Sequence, residues 1–414
     1  MTPVTPPAVH HLPADFTSMF DPYPLMERIR DAGRVQRVGK PGMGEFWVVT
    51  GYEDVLTVLT DARFSTRPPT GPRPGEPAEG AAGGERSVLE VSLLSTDPPD
   101  HTRLRRAVSR VFTVRRVATL RPRVKEITGL LLDEVAPTGH ADLVADLAFP
   151  LTMAVICELL GVPLEDRDAF GRWSIALVLP PNPPEVLRSA EHAQRMLTGY
   201  FTDLIARKRA APQDDLLSDL ARPRPSAEGL SDRELLGMAI LLVLAGHETT
   251  VNLVGTGIMT LLLHPDQLAV LRDDPDLLPA AVEELIRYTG PIGTGLARFA
   301  TCDLDLAGTR IRRGDLVVTS LAAANRDPAR YSAPHRFDIH RSQTPHVGFG
   351  HGIHFCLGAA LARLEAEVAI GTALRRLPDL ALAKPAEQLR WRTSSLRGLA
   401  ELPVTFTPSG TTVR

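Results

Sequence analysis

The chain has 414 residues, of which 43% are hydrophobic and 23% charged, a globular composition that excludes a disordered or fibrous protein. Its formal net charge of −3 gives no overall attraction to nucleic acid or to an anionic membrane, so neither is expected as a partner. Three cysteines, Cys157, Cys302 and Cys356, cannot form a disulfide framework and fit a reducing cytoplasm. No signal-peptide pattern is present at the start, and about the first 20 residues are expected to form a flexible segment.

Helical periodicity dominates the chain between loops rich in proline and glycine. Apolar residues repeat at three- and four-residue spacing over the segments 113–135, 141–160 and 190–208. The longest predicted helix begins at a capping box formed by Ser231 and Glu234 and runs to Leu263. Because it is apolar on nearly every side, it belongs in the centre of the molecule, and its polar interruptions argue against a membrane span.

Strand patterns are short and few. They cover the segments 46–50, 296–301, 311–320 and 403–407, and the third of these contains a predicted turn at 313–315. The stretches 65–87 and 180–184 are so rich in proline and glycine that they are predicted to be mobile loops. Without an alternating strand–helix order, the predicted fold class is mainly α with a small β region.

One cysteine lies in a glycine-rich segment, Phe349–Gly358. The run after Gly358 is predicted to be helical, so Cys356 lies at a helix N-terminus, where the helix dipole and free N–H groups favour a thiolate. Such a cysteine can be a nucleophile with His351 or His354 as its base, a redox sensor, or a metal ligand. A haem ligand needs backbone N–H donors and small flanking residues, which Gly358 and the alanines after it provide.

The spacing F-x-x-G-x-x-x-C-x-G over residues 349–358 resembles the haem-binding signature of the cytochrome P-450 family. From the residue frequencies of this chain, on the order of 5 × 10⁻⁴ chance matches are expected, so the signature is specific. The resemblance extends over about residues 21–402 and points to actinobacterial members that modify polyketides and other natural products. It implies a monomeric single-domain P-450 fold over residues 1–414, with the long helix over a haem b whose iron is bound by Cys356.

The resemblance also implies which side chains surround the haem. Its two propionate groups need cationic or hydrogen-bonding partners when they are buried. The residues that match the family's propionate partners are His101, Arg105, Arg298 and His354. The other implied haem contacts are Ala245, Phe349 and Gly358.

A structural ion-pair network is expected near the cysteine loop. Glu284 and Arg287 are spaced i,i+3, so a helix brings them to one face, where they can form an ion pair. The resemblance adds Arg336 as a third member and implies that the network locks the core around the loop.

The sequence AGHETT over residues 245–250 places polar side chains in the middle of the apolar helix. Such groups are costly unless they are hydrogen-bonded, and a threonine hydroxyl can bond back to an earlier carbonyl and bend the helix. The segment resembles the family's oxygen-activation motif, which implies that Gly246 leaves space for O2 and that Glu248 and Thr249 deliver protons. His247 is interpreted as a substrate-side or packing residue and not as an iron ligand.

A substrate pocket is expected beside the long helix, covered by the two mobile loops. Its predicted lining is Leu241, Leu244, Ile292, Gly293, Thr294, Ser395 and Leu396. Small side chains in the lining, glycine-rich covers and an aromatic content of 5% favour a large, mostly apolar natural product such as a macrolide or other polyketide.

The implied reaction inserts one oxygen atom of O2 into this substrate by hydroxylation or epoxidation. Electrons would come indirectly from NAD(P)H through a ferredoxin reductase and a separate ferredoxin. A group of arginines is expected to form a basic docking surface for an acidic ferredoxin. They are Arg103, Arg105, Arg106, Arg110, Arg115 and Arg116, and Arg105 is expected to turn inward.

Other activities are weighed against this one. Oxidative coupling on the same haem stays open as an alternative. A peroxide-driven enzyme is disfavoured by the pair Glu248 and Thr249, and a non-catalytic haem-binding helper protein is disfavoured by the intact Cys356. A zinc- or thiol-based enzyme would need more clustered ligands than three dispersed cysteines provide.

Overall fold

The computed structural model describes residues 9–13, 21–41, 44–68, 91–178, 184–223, 229–341, 345–392 and 396–409. The predicted covers at 65–87 and 180–184 fall largely outside these residues, and so does Ser395. The helices are α1 Tyr23–Ala32, α2 Tyr52–Thr60, α3 Asp100–Ser109, α4 Val114–Thr119, α5 Arg121–Val135, α6 Phe149–Leu160, α7 Arg167–Val178, α8 Pro184–Ala210, α9 Leu216–Ala221, α10 Asp232–Leu263, α11 Pro265–Asp273, α12 Leu278–Thr289, α13 Leu321–Ala324 and α14 Ala359–Arg376. The strands are β1 Val9–His11, β2 Val35–Lys40, β3 Gly44–Val49, β4 Phe64–Ser65, β5 His140–Asp142, β6 Arg298–Ala300, β7 Leu304–Leu306, β8 Thr309–Ile311, β9 Leu316–Thr319, β10 Ala381–Leu382 and β11 Pro403–Thr405.

Helix α10 forms the centre of the helical core. The predicted capping box is present: the Ser231 hydroxyl accepts from the Glu234 N–H, and the Glu234 carboxylate accepts from the Ser231 N–H at 2.8 Å. Helices α6, α8, α12 and α14 pack around it. Among the described residues it is the one helix long and apolar enough to cross a bilayer, and 78% of its apolar window is buried inside the protein. Such burial is typical of a core helix.

A six-stranded sheet in the order β1-β2-β3-β9-β6-β4 lies beside the helical core. Its middle pair, β3 and β9, is parallel, with Trp47 opposite Val317. The segment 311–320 has the predicted turn between two strands, β8 and β9. Strand β8 pairs with β7 in a separate ribbon, whereas β9 joins the large sheet. The remaining sheet has the order β10-β11-β5.

Two predicted helices are interrupted. The segment 113–135 breaks at Leu120, because Pro122 lies in the first turn of α5 and has no N–H to continue the preceding helix. The segment 141–160 begins instead as strand β5, since Ala141 pairs with Val404, and a π-helical turn precedes α6. Local periodicity contains no sign of that distant partner. The predicted fold class, mainly α with a small β region, is confirmed.

Candidate active site

Cys356 lies in a tight loop between a 3₁₀ turn, Gly352–His354, and helix α14. Its N–H donates to the carbonyl oxygen of Phe349 at 2.9 Å, which closes the loop. Gly352 has a φ of 70°, and a Cβ there would lie 2.7 Å from the carbonyl oxygen of Leu59. Only glycine fits that position, which explains its place in the signature.

The Cys356 thiol is not made acidic by the helix terminus alone. Burial raises its pKa, although a hydrogen bond from the Gly358 N–H and the charges of Arg105 and Arg363 act in the opposite direction. The expectation of a low-pKa cysteine is therefore wrong for the polypeptide by itself. A bound metal ion deprotonates a coordinating thiol, so the loop fits a metal ligand better than a free nucleophile.

Four cationic or imidazole side chains converge near this loop. The rings of His101 and His354 lie 4.3 Å apart between centroids, and the Nε2 atom of each is buried without a partner among the described residues. Burial, followed by the charge of Arg298, lowers the pKa of His354 to about 3. The charge of Arg105 acts on both His101 and Cys356, and burial lowers the pKa of Arg105 itself. The structure thus brings together all four predicted propionate partners.

Among the described residues, Asp97 is the acid whose charge acts on this cluster. Arg298 is buried, and the hydrogen bond seen for its guanidinium in the described part of the chain is a long one, 3.4 Å, to the carbonyl oxygen of Ala297. The carboxylate of Asp97 accepts from the Ser65 hydroxyl at 2.6 Å and from the backbone N–H and hydroxyl of Thr66, each at 3.1 Å. With two arginines and one carboxylate, the cluster keeps a positive charge that fits an anionic ligand.

The polar segment of α10 contains a buried ion pair that local sequence does not reveal. Thr249 donates its hydroxyl to the carbonyl oxygen of Ala245 at 2.9 Å, as expected, and the helix continues through this point. Glu248 is 1% exposed, and its Oε1 accepts from Nη1 of Arg392. Its Oε2 is buried without a partner in the described chain. Sequence reasoning missed Arg392, although a buried acid in an apolar helix signals that a cation must reach it from elsewhere.

Two neighbours of Glu248 have packing roles. A Cβ on Gly246 would lie 3.0 Å from Cδ1 of Ile156, so this glycine permits the approach of α6. Its expected role in leaving space for O2 stays a prediction. His247 is fully buried, with its ring edge-on to Phe149 at 4.8 Å. Burial and the charge of Arg392 lower the pKa of His247 to about 3, so it is a neutral packing residue.

The predicted pocket residues differ in accessibility. Leu241 is buried, whereas Leu244, Ile292, Gly293 and Leu396 are half-buried. Ala245 and Thr294 are exposed, although Ala245 lies in the middle of the central helix. Among the described residues, nothing lies within 4 Å of the position that a Cβ on Gly293 would take. Ser395 lies outside the described residues, so the predicted lining is only partly described.

The predicted Glu284–Arg287 ion pair is present, but its third member is different. Arg287 donates to both carboxylate oxygens of Glu284, at 2.7 and 2.8 Å. A second arginine, Arg341, donates from Nε to Oε1 of Glu284 at 3.2 Å. Arg336 has an exposed side chain and contributes only its backbone carbonyl oxygen, which accepts from Arg287 and Arg341. The assignment of Arg336 as the third side chain is therefore wrong.

Several of the arginines that were predicted to form a docking surface make contacts within the protein instead. Arg103 pairs with Glu234, and Arg116 pairs with Asp219. Arg105 belongs to the cationic cluster near Cys356, which agrees with the expectation that it turns inward. Arg106 and Arg115 are exposed. The six arginines therefore do not form one continuous basic face.

A haem group fits this arrangement. One cysteine thiol is available as an axial ligand, and within the described residues no group of three His, Cys, Asp or Glu side chains is placed to hold a metal ion. The unpartnered Nε2 atoms and buried Arg298 fit two propionates. A mainly helical fold with one such cysteine and such a cluster defines a haem-thiolate class of protein.

Comparison with known proteins gives the family. The cytochrome P-450 family model matches residues 39–378. The cytochrome P-450 monooxygenase PikC of Streptomyces venezuelae is 47% identical over 409 residues, 97% of this chain and 95% of that protein. The mycinamicin IV hydroxylase/epoxidase of Micromonospora griseorubida is 45% identical over 384 residues, 91% of this chain and 94% of that protein. The crystal structure of the LnmA hydroxylase, from the leinamycin pathway of Streptomyces atroolivaceus, has a TM-score of 0.84 at 42% identity, covering 96% and 100% of the two chains.

The chain therefore belongs to the cytochrome P-450 family, and it is a monooxygenase. The family implies a haem iron with thiolate ligation, a small-molecule substrate and O2.

Proposed function

We propose that this monooxygenase hydroxylates or epoxidises a large, mostly apolar natural product of the macrolide or polyketide type. The observation that carries the proposal is the convergence of Cys356 with His101, His354, Arg105 and Arg298, of which His101 and Arg298 are buried. The names of two relatives support the substrate class, since one is a mycinamicin IV hydroxylase/epoxidase and another a 6-deoxyerythronolide B hydroxylase. A Cβ at Gly293 would meet no described atom within 4 Å, so this small residue leaves room for a bulky guest.

Each part of the site has a separate task. Cys356 would hold the haem iron, and the four-residue cationic cluster would hold the propionates. The haem ring would be contacted by Phe349 and Gly358 on the cysteine side and by Ala245 on α10. When bound, haem supplies the activation of O2, while the protein provides the ligand, the orientation of the substrate and the exclusion of water.

Glu248 and Thr249 would deliver the protons that the reaction consumes. The Oε2 atom of Glu248 has no partner in the described chain, so it is free to take up a proton. The Thr249 hydroxyl donates to Ala245 and keeps its oxygen lone pairs free to accept a hydrogen bond. A positioned acid and an alcohol can pass protons through a site that excludes bulk water.

The ligand assignment is tested by absorption spectroscopy of the reduced, CO-bound protein. A strongly red-shifted Soret band reports a thiolate ligand, and we expect it in the wild type and in the control Cys302→Ser, because Cys302 is exposed and distant in sequence. We expect Cys356→Ala to lose the band and turnover. A red-shifted band that survives in Cys356→Ala contradicts the assignment.

The substrate class is tested by following the spin state of the ferric protein during titration with macrolactones, steroids, fatty acids and small terpenes. We expect tight spin-state shifts with macrolactones, because a bulky guest displaces water from the iron. Tight shifts with only the small terpenes contradict the substrate class.

We further propose a separate ferredoxin, reduced through NAD(P)H and a ferredoxin reductase, as the electron donor. Helices α4 and α5 both pack against α14, the helix that follows Cys356. They carry the exposed basic side chains Arg115 and Lys125, besides Arg121, which pairs with Glu367 on α14. We expect reduction by an acidic ferredoxin to slow with salt and to slow further in Arg115→Glu. A reduction rate that is indifferent to ionic strength contradicts an electrostatic docking surface.

A further inference from the structure

A short antiparallel bridge near the C-terminus packs against the polar segment of α10. Trp391 pairs with Leu399, and the Arg392 N–H donates to the Gly398 carbonyl oxygen at 2.9 Å. Just outside this pair, the Ala400 N–H donates to the carbonyl oxygen of Arg390 at 2.8 Å. The backbone that carries Arg392 is thus held by hydrogen bonds on either side of Trp391.

This bridge contacts one face of α10 at two successive turns. Arg392 donates to Oε1 of Glu248, and the backbone of Gly398 lies against Asn252. A Cβ on Gly398 would lie only 1.8 Å from Oδ1 of Asn252, so the approach requires glycine. Because Glu248 and Asn252 are spaced i,i+4, both contacts fall on the same side of the helix.

The two oxygens of the Glu248 carboxylate have different surroundings. Oε1 is occupied by Arg392, whereas Oε2 is buried and has no partner in the described chain. The Arg392 side chain is itself only 19% exposed, so the pair lies at the edge of the core, where a charge without a counter-charge is costly. The adjacent His247 packs against Phe149, and neither of its ring nitrogens has a partner in the described chain.

We propose that Arg392 is the positioning residue for proton delivery: it holds Oε1 of Glu248 and leaves Oε2 as the one oxygen that exchanges protons. This inference rests on the proposed role of Glu248. In each transfer a proton from bulk solvent reaches Oε2 through a water molecule that gives up one proton and takes up another. The neutral acid then passes a proton toward the Thr249 hydroxyl, and the carboxylate paired with Arg392 is restored. Arg392 does not exchange a proton itself, since its guanidinium stays charged throughout.

The test compares Arg392→Gln and Arg392→Lys with Arg390→Gln in the haem-loaded, full-length protein. Arg390 is the matched control, because it is two residues away, 73% exposed and paired with Glu401. We expect Arg392→Gln to lower product formed per NAD(P)H by roughly 10-fold, with the electrons appearing in peroxide, since a displaced general acid loses part of its effect. Arg392→Lys should restore most of the coupling, Arg390→Gln should leave it unchanged, and substrate affinity from the spin-state titration should stay constant in all three.

A second readout does not depend on turnover. In the ferric, substrate-free protein, an infrared difference spectrum between wild type and Glu248→Gln identifies the carboxylate band of Glu248. We expect this band to shift in Arg392→Gln and to stay in place in Arg390→Gln. If the band does not shift in Arg392→Gln, the proposed positioning of Glu248 by Arg392 is overturned.

The double variant Glu248→Gln/Arg392→Gln separates positioning from general loss of structure. We expect it to be no less coupled than Glu248→Gln alone, because Arg392 acts through Glu248. Additive losses overturn the inference. If Glu248→Gln and Thr249→Ala themselves couple normally, the proposed proton path fails. If those two uncouple while Arg392→Gln behaves like Arg390→Gln, only the role of Arg392 fails.

Discussion

Two buried polar clusters in the same helical core are built in opposite ways. In the Glu284 network, both carboxylate oxygens accept from Arg287, and one accepts in addition from Arg341 and the Asp338 N–H. Arg287 also donates to three backbone carbonyls. In the polar segment of α10, Oε2 of Glu248, both ring nitrogens of His247 and both amide atoms of Asn252 have no partner in the described chain. A fully bonded network rigidifies a core, whereas unsatisfied buried groups are costly and mark places where something else must bind or react. The first cluster therefore serves the fold, and the second is the one that we propose for the reaction.

The largest effect is expected from breaking the satisfied cluster. Arg287→Ala leaves the carboxylate of Glu284 buried without its main partner, which costs about 3–5 kcal/mol of unfolding free energy. We expect little soluble, haem-loaded protein, as measured by urea unfolding and by haem content per chain. Normal haem content and an unchanged unfolding midpoint would remove Arg287 from its structural role.

The next prediction tests the close contact between Gly398 and Asn252, which belongs to the cluster with unsatisfied polar atoms. Gly398→Ala places a methyl group against Oδ1 of Asn252 and should cost about 1–3 kcal/mol through overpacking. The matched control is Gly293→Ala, where a Cβ would meet nothing within 4 Å, and its effect should stay within about 0.5 kcal/mol. Urea unfolding of both variants makes the comparison, and equal stabilities contradict the contact between Gly398 and α10.

A smaller difference distinguishes the two arginines of the Glu284 network. We expect Arg341→Ala to lose about 1–3 kcal/mol, because its side chain is 13% exposed and bonded to Glu284 and to three backbone carbonyls. Arg336→Ala should lose less than about 0.5 kcal/mol, since only its backbone oxygen takes part. The reverse order in unfolding experiments would reinstate Arg336 as the third side chain.

The smallest effect concerns Glu283, next to the satisfied network. Burial raises the pKa of Glu283, but hydrogen bonds and charges from Arg363 and His346 outweigh it and lower the pKa to about 2. A pKa below the unfolded value means that this carboxylate stabilises the protein above about pH 4.5, and that the contribution is lost as pH falls toward 2. Because the side chain is 40% exposed, solvent weakens the effect. Unfolding of wild type and Glu283→Gln should therefore converge on acidification, and a constant difference between pH 7 and pH 3 would contradict the lowered pKa.

The contrast between the clusters also explains which contacts could be predicted from the sequence. The capping box of α10, the Glu284–Arg287 pair and the hydroxyl bond of Thr249 are all contacts between residues three or four positions apart, which helical spacing determines. Arg392 reaches Glu248 across 144 positions, and nothing local connects them.

The choice between Arg336 and Arg341 fails for a similar reason. The two arginines lie five residues apart in one loop, and only the turn around them decides which side chain faces inward. There, carbonyl oxygens of Ser332 and Ala333 accept from Arg341 and hold it toward Glu284. The strand pairing of β5 with β11 and of β3 with β9 is also long-range, so periodicity identified strand segments but not their partners.

The parallel pairing of β3 with β9 has a consequence for when the site can form. Val49 pairs with Thr319, so during synthesis at about 5–20 residues per second the N-terminal strands wait roughly 15–50 s for their partner. Strand β6, which carries Arg298, joins the same sheet through β9, while Cys356 and Arg392 are translated later still. Contacts of such long sequence separation form slowly, because the intervening loop must close first. The site therefore cannot be complete until Cys356 and Arg392 have both been synthesised, long after the N-terminal strands.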